Sequence, residues 1–240
     1  MSERKFDPGL PELIEDPNAD EGLLRDELQS IRTVNRFFGG ERAIRLGIGR
    51  FLEQAGDRVT TILALGTGSA DIPLYLSRLA RKRKRRIHIT AVDKHQLVLN
   101  EARRLTEHVP EITIEAGDIL NLDYPPASFD IVLCSLTMHH FSSADGVRIM
   151  RSMRELSRIG LVIVDLTRGP MAVCVAWLYT ALTTRNPMTR TDAVLSVRRG
   201  FTVREFRRLA EEAGLERFIV RTIPFFRILL VGMHAQQPAE

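Results

Sequence analysis

The sequence predicts an α/β fold: a doubly wound, Rossmann-like sheet, mostly parallel, with an antiparallel last strand. Three observations predict it. From about residue 58, short β-branched and aliphatic runs alternate with amphipathic helical stretches. The first run, "ILALGTGSADIP" (62–73), passes through a glycine loop into a helix. Polar residues stand at the ends of five successive runs, where open α/β sheets bind their ligands.

The elements follow in order. Residues 1–20 are rich in Pro and Asp and read as extended or loosely packed. A helix begins near Glu21, with Leu23, Leu24, Leu28, Ile31 and Val34 on one stripe, and Gly39-Gly40 stops it. A second helix is expected over Glu41–Gln54. Strands are expected at 59–65, 86–93, 112–118, from 129, and at 160–166. Helices fall between them at 71–83, 94–108 and 143–159, the last capped by Ser142 or Ser143. The stretch 169–200 is too long for a plain connection. It is read as one apolar helix, Met171 to Thr183, followed by a polar segment. A helix over 202–215 with a stop at Gly214 leads into two closing strands, joined through Pro224 as an antiparallel hairpin. The expected organisation is an N-terminal extension and helical lid (1–57), a main domain (58–234) with a cap insertion at about 168–200, and a tail (235–240).

With 240 residues, the chain suffices for one sizeable core with an appendage. Hydrophobic residues make up 44% and charged residues 27%, ordinary for a globular protein. The net charge of +4 owes much to one run, "RKRKRR" (81–86), which reads as a solvated face, so nucleic acid is not the expected partner. The two cysteines, Cys134 and Cys174, lie in apolar surroundings and read as buried free thiols. Their spacing excludes a disulfide framework or a CxxC metal pair, and no metal site is expected. The polar, acidic start is unlike a signal peptide, and "MAVCVAWLYTAL" (171–182) is too short to span a bilayer. A cytoplasmic protein is expected, with weak contact to a membrane surface at most.

The strand ends carry the chemistry: Gly66-Thr67-Gly68, then Asp93 with Lys94 beside it, then Gly117-Asp118, then Ser135 to His140, then Asp165. A carboxylate at Asp93 suits the two hydroxyls of an adenosine ribose. Asp118 suits an adenine amine, with Ile119 beside the ring. A dinucleotide fingerprint would carry its third glycine where Asp71 stands, and a carboxylate there repels a pyrophosphate at a helix N-terminus. A sulfonium cofactor without phosphate tolerates it.

Taken together, "ILALGTGSADIP", "AVDKHQLVLNEAR", "AGDILNLDYPPASFDIVLCSLTMHHF" and "GFTVREFRRLAEEAGL" resemble the class I S-adenosylmethionine-dependent methyltransferases. They look most like the small-molecule type related to ubiquinone and menaquinone biosynthesis. The resemblance covers about residues 58–234. It implies seven strands, six parallel and the last antiparallel, with S-adenosylmethionine as cofactor. By carry-over, Leu65, Gly66, Thr67 and Gly68 meet the methionine part, Asp93 the ribose, and Asp118 with Ile119 the adenine. Ser135 begins the segment facing the methyl group. The family usually has an acid at Ala64 and often a glycine at Ala70, so Asp71 or the N-terminal helices are expected to supply the missing polar contact.

His139 and His140 are the candidate general bases toward a phenol, with Asp165 a weaker candidate. Arg36, in "TVNRFFGG", is a candidate for the cofactor carboxylate. Met171, Trp177, Tyr179 and Leu182 are candidates to line an apolar acceptor pocket, with Arg185, Arg190, Asp192, Arg198 and Arg199 nearby. The expected reaction is methyl transfer to oxygen or carbon of a small lipophilic phenol, quinone or polyketide-like acceptor. Two alternatives stand beside it. One is a non-catalytic binding module, suggested by Ala64 and Ala70. The other is an RNA methyltransferase, which "DYPP" (123–126), in scrambled order and ahead of the fourth strand, disfavours.

Overall fold

The structure is a computed structural model that describes residues 4, 6–55 and 57–234. The expected tail, 235–240, lies outside the described residues. Two helices, α1 (Glu21–Phe37) and α2 (Gly40–Gln54), precede the sheet. Then come β1 (Thr60–Leu65), α3 (Asp71–Lys82), β2 (Ile87–Asp93), α4 (Gln96–Thr106), β3 (Ile112–Ala116), β4 (Phe129–Ser135), α5 (Ser143–Leu156) and β5 (Ser157–Leu166). Two helices follow, α6 (Pro170–Thr183) and α7 (Pro187–Arg199), and then α8 (Val203–Glu212), β6 (Phe218–Ile223) and β7 (Arg227–Met233).

The seven strands form one sheet in the order β3-β2-β1-β4-β5-β7-β6. β7 is antiparallel to both neighbours, and the other pairings are parallel. The central strands read as unbroken aliphatic runs because both faces are covered. Leu63, Leu65, Val132 and Cys134 pack with α5 and α8 on one side. Ile62, Ala64, Ile131 and Leu133 pack with α2 and α3 on the other. Strand polarity therefore brings the loops after β1, β2, β3, β4 and β5 to one edge.

Four sequence expectations are corrected here. The polar segment after α6 is a regular helix, α7: the Asn186 side chain accepts from the N–H groups of Met188 and Thr189, and Pro187 opens the first turn. The start of the chain is not loose, because Leu13–Glu15 form a 3-10 turn and Glu12 is buried. β5 begins at Ser157, three residues ahead of the predicted start, with Ser157 paired to Phe129. Cys174 is exposed on α6, whereas Cys134 is buried in β4. At α5 the cap is Ser142, whose hydroxyl accepts from the N–H of Asp145.

α2 lies very close to the sheet. A Cβ placed on Gly47 would fall 2.6 Å from Val162 Cγ1 and 3.1 Å from Leu229 Cδ1. On Gly49, in the same helix, it would meet nothing closer than Arg83 Nη1 at 3.6 Å. Replacing a helical glycine by alanine gains roughly 1 kcal/mol of helix propensity, while overpacking a tight contact costs about 1–3 kcal/mol. Gly47→Ala is therefore expected to lower the urea midpoint and Gly49→Ala to hold or raise it, both with an unchanged m-value.

Candidate active site

The loops at the sheet edge, α1, α6 and the N-terminal segment enclose one cavity of about 470 Å³, within the roughly 300–1,000 Å³ of small-molecule sites. Two groups of its lining residues differ in chemistry.

The first group includes the glycine loop. Gly66 and Gly68 have φ of +59° and +55°, a region where only glycine is unstrained. At Gly66 a second constraint applies: a Cβ would fall 2.4 Å from Thr137 Cγ2. The Thr137 hydroxyl donates to the Gly66 carbonyl (3.2 Å) and the Ser135 carbonyl (3.0 Å), tying the β4 exit to the loop. At Gly68 nothing lies within 4 Å of a Cβ, so its backbone borders open cavity. Ala70 has φ +60°, and its left-handed backbone costs roughly 1–2 kcal/mol.

Asp93 Oδ2 accepts from the Gly68 N–H (2.9 Å) and Oδ1 from the His95 N–H (3.1 Å), so it ties the β1 and β2 loops together. Asp118 accepts from the Leu120 N–H (2.9 Å) and Asn121 Nδ2 (3.2 Å), as a turn aspartate does, and Ile119 beside it is buried. Both aspartates line the cavity, as do Lys94 and Ser135. The hydroxyls of Thr67 and Ser135 are buried without hydrogen-bond partners.

Ala64 offers only a methyl group on β1. The carboxylate near it belongs to Asp71, which opens α3, faces the cavity and accepts from Asn35 Nδ2 at 2.8 Å. Burial pushes the Asp71 carboxyl above its usual range, against the Asn35 hydrogen bond. Arg36 is elsewhere: it is exposed, with its guanidinium over the Phe37 ring. The helical phase that turns Val34, Asn35 and Phe38 inward turns Arg36 out. The guanidinium that lines the cavity is Arg227 at the start of β7. It is buried, its Nε donates to the Phe38 carbonyl (3.3 Å), and Nη1 and Nη2 have no partner. Burial lowers its pKa to about 10, against the pull of Asp165 and Asp71.

In the second group, the exit loop of β4 sets His139 and His140 in a 3-10 turn, with ring centroids 4.3 Å apart. His139 Nδ1 is 2.7 Å from Asp165 Oδ1, and its backbone N–H donates to Oδ2 (3.2 Å). Burial alone would raise the Asp165 carboxyl, but His139 and the Leu166 N–H hold it below its usual range. His140 Nδ1 lies 3.3 Å from Glu15 Oε1. Both Nε2 atoms face Glu12, His139 at 3.7 Å and His140 at 3.9 Å. The Ser196 hydroxyl donates to Glu12 at 2.8 Å, and burial pushes the Glu12 carboxyl up to about 7.

α7 holds this segment in place. Asp192 accepts from the N–H groups of Leu13 and Ile14, both at 2.9 Å. Arg199 donates to the carbonyls of Asp7 and Leu10. Arg4 donates to those of Arg199, His139 and Phe141. Of the expected apolar lining, only Tyr179 faces the cavity, beside Ala172, Ala176 and Thr180. Met171, Trp177 and Leu182 are 68%, 60% and 78% exposed on the opposite side of α6. Arg190 donates to the Ala181 and Thr184 carbonyls at the end of α6, and Arg185 and Arg198 are exposed. Sequence reasoning missed Glu12, Asn35, Ser196 and Arg227. None lies at a parallel strand's carboxyl end, and none belongs to a local motif.

Among the described residues, no helix is long and apolar enough to cross a membrane. Residues 62–160 match a family described as a methyltransferase domain. None of the curated proteins compared matches the sequence. Solved structures do. One is a Nostoc punctiforme protein designated an O-methyltransferase (TM-score 0.56, 16% identity, 85% of this chain and 59% of that one). A second is magnesium protoporphyrin IX methyltransferase from Synechocystis with bound S-adenosylhomocysteine (0.58, 13%, 82% and 84%). A third is human N-acetylserotonin methyltransferase in complex with S-adenosylmethionine (0.60, 16%, 95% and 61%). The chain thus spans less than two thirds of the first and third of these. Residues 62–160 thus match a methyltransferase domain, and the fold of the chain is that of these methyltransferase structures.

Proposed function

We propose that the protein transfers the methyl group of S-adenosylmethionine to a hydroxyl oxygen of a small, lipophilic acceptor. The observation that carries this reading is one cavity lined both by the glycine loop and by Glu12, His139 and His140, with Asp165 bonded to His139. An apolar body suits the cavity walls, and a hydroxyl suits the histidine group.

The cofactor fits the first group. Leu65 to Gly68 and Ser135 take its methionine part, Asp93 with Lys94 the ribose, and Asp118 with Ile119 the adenine. The unpartnered Thr67 and Ser135 hydroxyls and the free Arg227 nitrogens are donors that a bound amino-acid carboxylate satisfies. Asp71, held by Asn35, supplies a carboxylate for the ammonium in place of an acid at position 64. When bound, the cofactor supplies a methyl group on a sulfonium, already a good leaving group. The chain's own part is alignment, exclusion of water and care of one proton. His139, oriented by Asp165, and His140 present Nε2 to the acceptor oxygen. Of the expected lid at 1–57, the segment around Glu12 and α1 cover the cavity while α2 packs on the sheet, and about 168–200 act as the cap over the acceptor.

Calorimetry with S-adenosylmethionine and S-adenosylhomocysteine tests the reading first. Absence of binding at millimolar ligand would leave a non-catalytic module. Arg227→Met is expected to weaken S-adenosylhomocysteine binding by about 10- to 100-fold, as loss of a charge-assisted hydrogen bond of about 1.5–3 kcal/mol does. Arg36→Ala should leave it unchanged; a large loss there would restore Arg36 as the anchor. Asp71→Ala should weaken binding too, and unchanged affinity would remove Asp71 from its role. For an accepted substrate, His139→Ala is expected to lower kcat by about 10²- to 10⁴-fold while S-adenosylhomocysteine affinity stays within twofold.

A further inference from the structure

We infer that Glu12, His139 and His140 form a binding site for a divalent first-row transition metal ion, zinc-like in its preference, with an open coordination position toward the acceptor cavity. The inference deepens the methyl-transfer reading by naming what meets the acceptor oxygen, yet its geometry stands independently.

The donor atoms converge. One ligand atom from each of the three residues lies within 4.8 Å of the other two. Glu12 stands 3.7 Å from His139 Nε2 and 3.9 Å from His140 Nε2. Around a tetrahedral zinc with bonds of about 2.1 Å, donors lie about 3.4 Å apart. The two distances to Glu12 exceed this by about 0.3 and 0.5 Å. All three distances to Glu12 from basic groups, including Arg199 Nη1 at 4.0 Å, are too long for a hydrogen bond. They leave a gap between a buried carboxylate and two ring nitrogens that a cation fills.

The surroundings of His139 and Glu12 point the same way. A metal-binding histidine typically gives its other ring N–H to a carboxylate, which fixes the tautomer and frees the inner nitrogen's lone pair. His139 meets this pattern, with Nδ1 2.7 Å from Asp165 Oδ1; His140 Nδ1 lies 3.3 Å from Glu15 Oε1 without a hydrogen bond to it. Glu12 is steadied by the Ser196 hydroxyl at 2.8 Å. The two guanidiniums nearest the group hydrogen-bond to main-chain carbonyls: Arg4 to those of Arg199, His139 and Phe141, and Arg199 to those of Asp7 and Leu10. Neither donates a hydrogen bond to Glu12. Two imidazoles and one carboxylate are a donor set that suits zinc, cobalt or iron better than magnesium or calcium. Three protein ligands with a fourth position open are also the usual count of a catalytic site. That position faces the cavity, where an acceptor hydroxyl bound to the cation would lose its proton more readily. The cysteine spacing excluded only a thiolate site; these ligands come from segments 127 residues apart, which spacing does not join.

The test uses the full chain, untagged and stripped of metal with a chelator. It is titrated with Co²⁺ and followed by visible absorption, with S-adenosylhomocysteine calorimetry on the same samples. The expected result is saturation at one equivalent with the intense d–d bands of a low-coordinate site, reversed by Zn²⁺. Glu12→Gln and His140→Ala should each weaken binding by 10-fold or more. His108→Ala, on an exposed histidine remote from the cavity, should not. Absence of saturation at one equivalent, or saturation untouched by the Glu12 and His140 variants, overturns the inference. If S-adenosylhomocysteine still binds in that case, the imidazoles alone serve the acceptor and the methyl-transfer reading survives. If Co²⁺ binds but S-adenosylhomocysteine does not, the cation site stands and the methyl-transfer reading falls.

Discussion

The two hydrogen bonds from Leu13 and Ile14 to Asp192 hold the candidate site together. They join the start of the chain to a helix 178 or 179 positions later, and Glu12 is fixed between them and the histidines. Without that clamp, no element would hold a carboxylate over the sheet edge at this point. The clamp is itself a solution to a burial problem. Asp192 is 1% exposed and Arg199 3%, and such groups are tolerated inside only when hydrogen-bonded. Asp192 spends both oxygens on backbone N–H groups, and Arg199 spends its donors on backbone carbonyls. Side-chain charges thus satisfy a stretch of main chain that belongs to no sheet and to almost no helix.

The glycine loop rests on a different constraint, close approach. Thr137 reaches over Gly66 so nearly that no side chain fits there. Asp93 then fastens the Gly68 N–H to the β2 loop. The loop is therefore gripped from β4 on one side and β2 on the other, and Gly68 is left facing open cavity. Such a loop is shaped before any ligand arrives, which lowers the ordering cost of binding. The left-handed backbone at Ala70 is the strain that this shape retains.

The sheet was legible because every strand of a covered parallel sheet carries the same aliphatic signal, and because polarity alone assigns the strand ends to one edge. Gly66, Asp93, Asp118, Ser135 and the two histidines could be gathered on that basis. The rest was not legible for physical reasons that differ by residue. Glu12 is one acid among several in a Pro-rich opening, and its burial depends on a helix near residue 192. Arg227 opens an antiparallel strand, so its side chain enters the site from the direction opposite to the parallel strands. Arg36 lies one residue beyond an inward-facing Asn35, and a helix turns about 100° per residue. That step separates a cavity ligand from an exposed side chain. α7 escaped the sequence reading, which gave only a polar segment there, because its polar composition hid a face that serves buried charges in place of a hydrophobic core.

α6 carries the same lesson further. Its composition is apolar nearly all round, which ordinarily marks a buried helix. Yet it covers the cavity with small and polar-tipped residues, Ala172, Ala176, Tyr179 and Thr180, and turns its bulkiest groups outward. Small side chains on the inner face leave room for an acceptor that large ones would occupy. Phe38 packs edge-on against Tyr179 (5.0 Å between centroids) and against Phe225 (5.6 Å), which ties α6 to the end of α1 and to the β6–β7 turn. Because that turn leads directly into Arg227, the α6 wall of the cavity and the Arg227 guanidinium are braced by one aromatic cluster. The α6 wall of the cavity and the Arg227 guanidinium are therefore mechanically linked, and a change in the Phe38 ring would be felt at both.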